Sequence, residues 1–268
     1  MPNTMFICPD GYEINHGDCL KSCRMGRRCA PRPLLYAHAD TRPVRDRWYS
    51  ATQLLNSPKQ VHLEREHNYA VSPIKGIPSL FGTAFHLLME KYSRDIPYTD
   101  AEMYFVATVQ TKYGDANFSG ICDYVDYAEA LSTDWKVTSK FGFEKLQKGD
   151  FSEKNYVEQQ SLYKPFLFPN IPTNMVSVVY REWGARMASE LDMLESYELP
   201  IIQEDEILAW LVERIEEQIA VDEGMIEPRD CTPKECWQSR DGRKRNKCAG
   251  YCGGKEVCEQ YQTWKEGR

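Results

Sequence analysis

The 268-residue chain has no run approaching the roughly 18 consecutive apolar residues of a membrane-spanning helix. Its start, MPNTMFICPDGYEINHGDC, lacks the basic and apolar stretches of a secretory leader. It has no G-x-x-x-x-G-K-[ST] loop, which excludes a P-loop motor. It also lacks an excess of positive charge: the formal net charge is −7, which argues against a uniformly basic nucleic-acid binder. What is there is an ordinary globular composition, 42% hydrophobic and 27% charged, which excludes a disordered or collagen-like chain. These absences predict a cytoplasmic protein with no membrane partner, in which thiols stay reduced.

Against that background the ten cysteines stand out, because they are clustered. Cys8, Cys19, Cys23 and Cys29 read C-x10-C-x3-C-x5-C, and Cys236, Cys248, Cys252 and Cys258 read C-x11-C-x3-C-x5-C. Clustered reduced thiols point to metal. Four thiolates suit a closed tetrahedral zinc site, and a [4Fe–4S] cluster also takes four, so spacing leaves both open. The near-repeat predicts two independent knuckles, with Cys122 and Cys231 unassigned.

Charge is segregated too. Residues 1–47 hold eight Lys/Arg against five Asp/Glu, residues 231–268 nine against five, and the stretch between carries −14. Both cysteine-rich ends are thus basic, through Arg24, Arg27, Arg28 and Arg32 at one and Arg240, Arg243, Lys244, Arg245 and Lys247 at the other. Such patches beside an acidic middle are a footprint for phosphate. The expected organisation is a metal-binding segment over 1–47, a core over 48–230 and a second metal-binding segment over 231–268.

Within the core, Ser50 opens an expected helix over 50–66, and a second helix is expected over 81–94, with His86 and Glu90 sharing a face. Alternation and β-branching predict strands over 103–111, 119–127 and 129–139, the last two forming a hairpin. A helix over 153–166, a strand over 175–183 and an amphipathic helix over 204–224 complete an α/β order. Asp134 and Lys136 lie two apart on one strand and share a face, and Asp123 on the preceding strand can lie opposite them. Two carboxylates and an ammonium on one sheet face suit Mg²⁺ or Mn²⁺ and phosphodiester chemistry. Taken bare, D-x-K is more often an exposed surface pair. Cys122, next to Asp123, should face the opposite way and be buried.

Four motifs in order change that balance. GTAFH (with His86), SGICDYVD (Asp123), DWKVTSK (Asp134 and Lys136) and QQSLY (Gln159 and Tyr163) resemble, over residues 48–258, the RecB-like branch of the PD-(D/E)XK nucleases. This branch includes CRISPR-associated and phage-encoded RecB-like exonucleases. The resemblance implies a restriction-endonuclease-like fold, a mixed central sheet flanked by helices, and metal-dependent DNA hydrolysis. It implies that His86, Asp123, Asp134 and the Val137 carbonyl hold Mg²⁺ or Mn²⁺, and that Lys136 is the catalytic lysine. Gln159 and Tyr163 would contact DNA and brace the site, and Glu90 would support it; Asp126, three residues from Asp123, should face the other way on a regular strand and be structural. DNA ends are the implied partner, with a helicase, recombinase or integrase beside the nuclease in a prokaryotic or phage-infected cell. The family's early iron–sulfur cysteine is missing, since Ser57 precedes Pro58. That departure favours structural Zn²⁺ at each end, with [4Fe–4S] the alternative. A catalytically inactive DNA-binding or adaptor scaffold is the alternative to an enzyme.

Overall fold

The computed structural model describes all residues except 1–3, 41–42, 150, 152–154, 181–192 and 268. The chain opens with β1 (Met5–Ile7), β2 (Glu13–Asn15), α1 (His16–Lys21) and α2 (Arg32–Ala39). There follow β3 (Trp48–Ser50), α3 (Ala51–Leu54), α4 (Pro58–Glu66), β4 (Ala70–Val71) and α5 (Ile77–Ser93). The middle holds β5 (Thr99–Thr111), β6 (Gly114–Asp126), β7 (Leu131–Thr138), α6 (Lys140–Gln147) and α7 (Tyr156–Leu167). Then come β8 (Thr173–Tyr180), β9 (Leu194–Leu199), α8 (Glu204–Asp222), α9 (Asn246–Gly250) and α10 (Glu259–Glu266). Among the described residues no helix is long and apolar enough to cross a membrane.

Two compact units emerge. One comprises Trp48–Leu55 and Phe81–Glu216. Its sheet runs β3-β6-β7-β8-β9, with β5 also paired to β6. The sheet is mixed: β7 pairs parallel with β8, whereas β5–β6, β6–β7 and β8–β9 are antiparallel. Helices flank it, as the α/β reading expects. Phe143 and Leu146 of α6 and Tyr156 of α7 are buried with Val176, Val178 and Leu199 of the sheet. The strand expected over 175–183 is β8, and the part of that stretch beyond 180 lies outside the described residues.

The other unit comprises Met1–Arg47, Asn56–Leu80 and Glu217–Arg268, so both cysteine-rich ends belong to one unit rather than to two separate flanks. Backbone pairing and close approach explain this. β1 pairs parallel with β4, which ties the first strand to chain beyond α4. From α4 itself, Glu64 Oε1 accepts the Gly253 N–H at 2.8 Å. A Cβ on Gly254 would lie 2.5 Å from Leu63 Cβ, so the glycine is what lets this turn approach α4.

The helix expected over 50–66 is broken in two. Ser50 and Gln53 form a reciprocal capping box on α3. Ser57 starts again, its hydroxyl accepting the Gln60 N–H with Pro58 in the first turn of α4. Proline is tolerated there because its missing N–H would have had no partner inside the helix.

Candidate metal and acid–base site

The β6–β7 ladder pairs Tyr124–Asp126 with Thr133–Leu131 and goes no further. At the next position the register sets Asp123 opposite Asp134, and the strands part. There Asp123 Oδ2 accepts the backbone N–H of Trp135 at 2.7 Å, a side chain doing what the ladder has stopped doing. The same end of the sheet collects the other candidate residues. Lys136 Nζ meets Asp134 Oδ2 at 2.6 Å. Gln159 Nε2, from α7, donates to Asp134 Oδ1 at 3.2 Å and to the Tyr163 hydroxyl at 3.1 Å. His86 of α5 brings Nδ1 to 3.6 Å from Asp123 Oδ1, while its Nε2 faces the Trp135 carbonyl oxygen at 3.0 Å.

Strand alternation accounts for the arrangement. Ser132, Asp134 and Lys136 present one face, and α7 meets each: Gln160 at Ser132, Gln159 at Asp134 and the Tyr156 ring 5.8 Å from Lys136 Nζ. Trp135 between them turns the other way, to Phe85 and Tyr124. Cys122 is fully buried, and burial pushes its thiol well above the ordinary range, as befits a small core residue.

Gln159 and Tyr163 are only 9% and 2% exposed, with Gln159 bridging the Tyr163 hydroxyl and Asp134. The carbonyl turned to His86 belongs to Trp135, whereas Val137 sits opposite Val179 in the β7–β8 ladder. Glu90 pairs with Arg94 one turn along its own helix. Asp126 is engaged in the turn before β7, where its Oδ1 accepts the N–H groups of Ala128 and Glu129.

The sequence pattern alone misses Glu102. Its Oε1 lies 3.2 Å from His86 Nδ1, and ligand atoms of His86, Glu102 and Asp123 all fall within 4.8 Å of one another. This half-buried imidazole and two carboxylates could hold a metal ion. The expected strand begins at Met103, one residue too late to include it. The available signal is an acidic residue inside an otherwise strand-like TDAEMYF.

Electrostatics follow from the crowding. Burial pushes the Asp123 carboxyl up to about 7; Asp134 adds to the shift, while Lys136 and His86 oppose it. The hydrogen bond to Glu102 holds the His86 ring above its ordinary value, against burial and with help from Asp123. Both His86 nitrogens face acceptors, which suits a doubly protonated ring in the metal-free site; a metal held at one nitrogen would take the place of that proton. Burial works against the Lys136 charge, but Asp134 and Asp123 outweigh it, and its ammonium is held above the usual lysine value.

The cysteines gather as well. Cys236 Sγ donates to the Cys231 carbonyl oxygen at 3.9 Å, and the Cys231, Cys248, Cys252 and Cys258 thiols lie within electrostatic reach of this group. Cys231 therefore joins the C-terminal set. Its Sγ is 2.9 Å from Ser57 Oγ, and Gln260 brackets its backbone at 2.9 and 2.8 Å. Of the basic residues at the ends, Arg27, Arg32, Arg240, Arg243 and Lys244 are exposed. Arg24 pairs with Asp10, and Lys247 Nζ donates to Asn56 Oδ1 at 2.7 Å.

No protein-family model matches the chain, and no curated protein matches it. The chain is similar to the crystal structure of SSO0001, with a TM-score of 0.55 and 16% identity, over 86% of this chain and 94% of that one. At that identity the likeness is one of fold.

Proposed function

We propose that the chain is a metal-dependent deoxyribonuclease on a restriction-endonuclease-like core, acting on DNA ends as an exonuclease. The observation that carries this reading is the Lys136–Asp134 ion pair beside the His86–Glu102–Asp123 group. That is a carboxylate, imidazole and ammonium set of the kind phosphodiester hydrolysis uses. A Mg²⁺ or Mn²⁺ ion held by His86, Asp123 and Asp134 would polarise the phosphodiester and lower the pKa of a water. The residues do the rest. Lys136, kept protonated by two carboxylates, is a fixed positive charge for the negative charge that develops on phosphate. Gln159 and Tyr163 hold the Asp134 carboxylate in place, so that it need not reorganise during reaction. Glu102 fixes the ring orientation of His86. The exposed arginines and Lys244 at the cysteine-rich ends supply sequence-independent attraction for the phosphate backbone. The five C-terminal thiols suit a thiolate-bound structural metal, zinc or a four-iron cluster.

The test is digestion of end-labelled linear and circular DNA, single- and double-stranded, with Mg²⁺ or Mn²⁺. Wild type should degrade linear DNA, and Lys136→Ala should be slower by about 10²-fold or more, the scale of losing one pre-placed electrostatic group. A wild type that cuts no faster than Lys136→Ala would make the chain a binding scaffold instead.

A further inference from the structure

We infer that Cys8, Cys19, Cys23 and Cys29 form a closed four-thiolate site for a single zinc ion. The inference is independent of the nuclease reading, since it uses none of that site's residues.

These four residues come from different local structures. Cys8 follows β1, Cys19 lies in α1, and Cys23 and Cys29 lie in the loop between α1 and α2. They nevertheless line one cavity of about 20 Å³, roughly the room that one water or ion occupies. The Cys19 thiol interacts electrostatically with Cys8, Cys23 and Cys29. All four are free thiols. Among the described residues neither carboxylate nor imidazole lines the cavity, and a donor set of sulfur alone selects a thiophilic ion over Mg²⁺ or Ca²⁺.

Charge is arranged for such an ion. Four thiolates around a divalent cation leave two negative charges. Two guanidiniums line the same cavity: Arg24 lies within electrostatic reach of Cys8, and Arg28 within that of Cys19. Arg28 also holds the helix that carries Cys19. It donates to the carbonyl oxygens of Cys19, Leu20 and Lys21 at 2.5, 3.2 and 3.3 Å, where α1 ends and its carbonyls need donors.

The fully buried cluster here is only Phe6, Cys19, Ala30 and Leu35, with Ile14, Leu20, Cys29, Leu34, Ala39 and Val71 partly buried against it, so two of the cysteines are themselves part of this small core. A core that small needs a staple, and a structural metal is one.

The experiment is metal analysis of the full-length chain by mass spectrometry, together with the absorption spectrum of the Co²⁺-loaded protein. Cys19→Ser should contain one zinc fewer per chain than wild type. Cys23→His, which keeps a ligand, should retain that zinc but alter the cobalt d–d bands, because one thiolate has become an imidazole. Should Cys19→Ser fail to fold, Cys23→His and wild type still decide the question. Any of three results overturns the proposal: wild-type zinc content in Cys19→Ser, an unchanged cobalt spectrum in Cys23→His, or loss of iron and sulfide in place of zinc. Disulfides among these four cysteines in protein purified under reducing conditions would overturn it too.

Discussion

Glu102 stands opposite Asp123 at the one position that the β5–β6 ladder skips, between the pairs Ala101↔Tyr124 and Met103↔Cys122. Its backbone is left-handed, with φ +51°, a conformation costly for a residue with a Cβ. The strain falls at the residue whose carboxylate meets His86. Three acidic side chains therefore stand side by side on three neighbouring strands: Glu102, Asp123 and Asp134.

Glu102→Gly separates strain from function. Glycine adopts positive φ freely, which recovers about 1 kcal/mol. The variant should melt at or above the wild-type temperature in EDTA while losing nuclease activity, because His86 loses its anchor. A lower melting temperature would show that Glu102 is a structural tie.

Asp123→Asn should trade activity for stability. The amide oxygen still accepts the Trp135 N–H, while the charge beside Asp134 disappears. In the metal-free protein the expected gain is about 1–2 kcal/mol. The sign follows from the raised carboxyl, up to about 7 when folded. The unfavourable ionised form builds up as pH rises, so the gain is full above about pH 7 and vanishes below about pH 4, where folded and unfolded carboxyls are both protonated. Denaturant melts in EDTA across that range check it, and a gain that does not vary with pH would refute the electrostatic account.

Gly120→Ala tests the bracing of the site from behind. A Cβ there would fall 2.5 Å from Tyr163 Cε1 and 2.6 Å from Phe105 Cε1. Both rings are buried, so the clash should cost about 1–3 kcal/mol. The shift of Tyr163 should pass through Gln159 to Asp134 and lower kcat more than it raises KM. Unchanged kcat with lowered stability would place Tyr163 outside the machinery.

His38 carries a pH dependence of its own, using none of the proposed metal ligands. Burial lowers its pKa below the ordinary histidine value, and Nε2 is buried with no partner among the described residues. A histidine kept neutral by folding contributes stability that is present above its unfolded value, about 6.5, and lost as pH falls. His38→Gln should flatten the decline in stability between about pH 6.5 and pH 5. Gly76→Ala should disturb the same ring, since its Cβ would lie 2.3 Å from His38 Cε1. A decline equally steep in His38→Gln would assign it to other groups.

Much is legible from local pattern. The alternation of TVQT and its neighbours, the 3.6-residue period of EDEILAWLVERIEEQIAVD and the cap at Ser50 depend on contacts within a few residues, so most of β5, α8 and the start of the helix at Ser50 can be read from the chain, whereas the restart at Ser57 that divides the expected 50–66 helix into α3 and α4 is not. The two-residue period of a strand likewise puts Asp134 and Lys136 on one face and Cys122 behind Asp123. What local pattern does not contain is register and backbone exception. Glu102 reaches the site through cross-strand pairing and a left-handed residue, Trp135 offers its carbonyl because β6 and β7 part, and Cys231 joins the other thiols because α4 brings Ser57 to it. Sequence by itself determined which residue types were present and which face of each element they occupied. Tertiary structure alone decided which of them meet, because pairing between distant segments is fixed by the whole packed chain and not by any stretch of it.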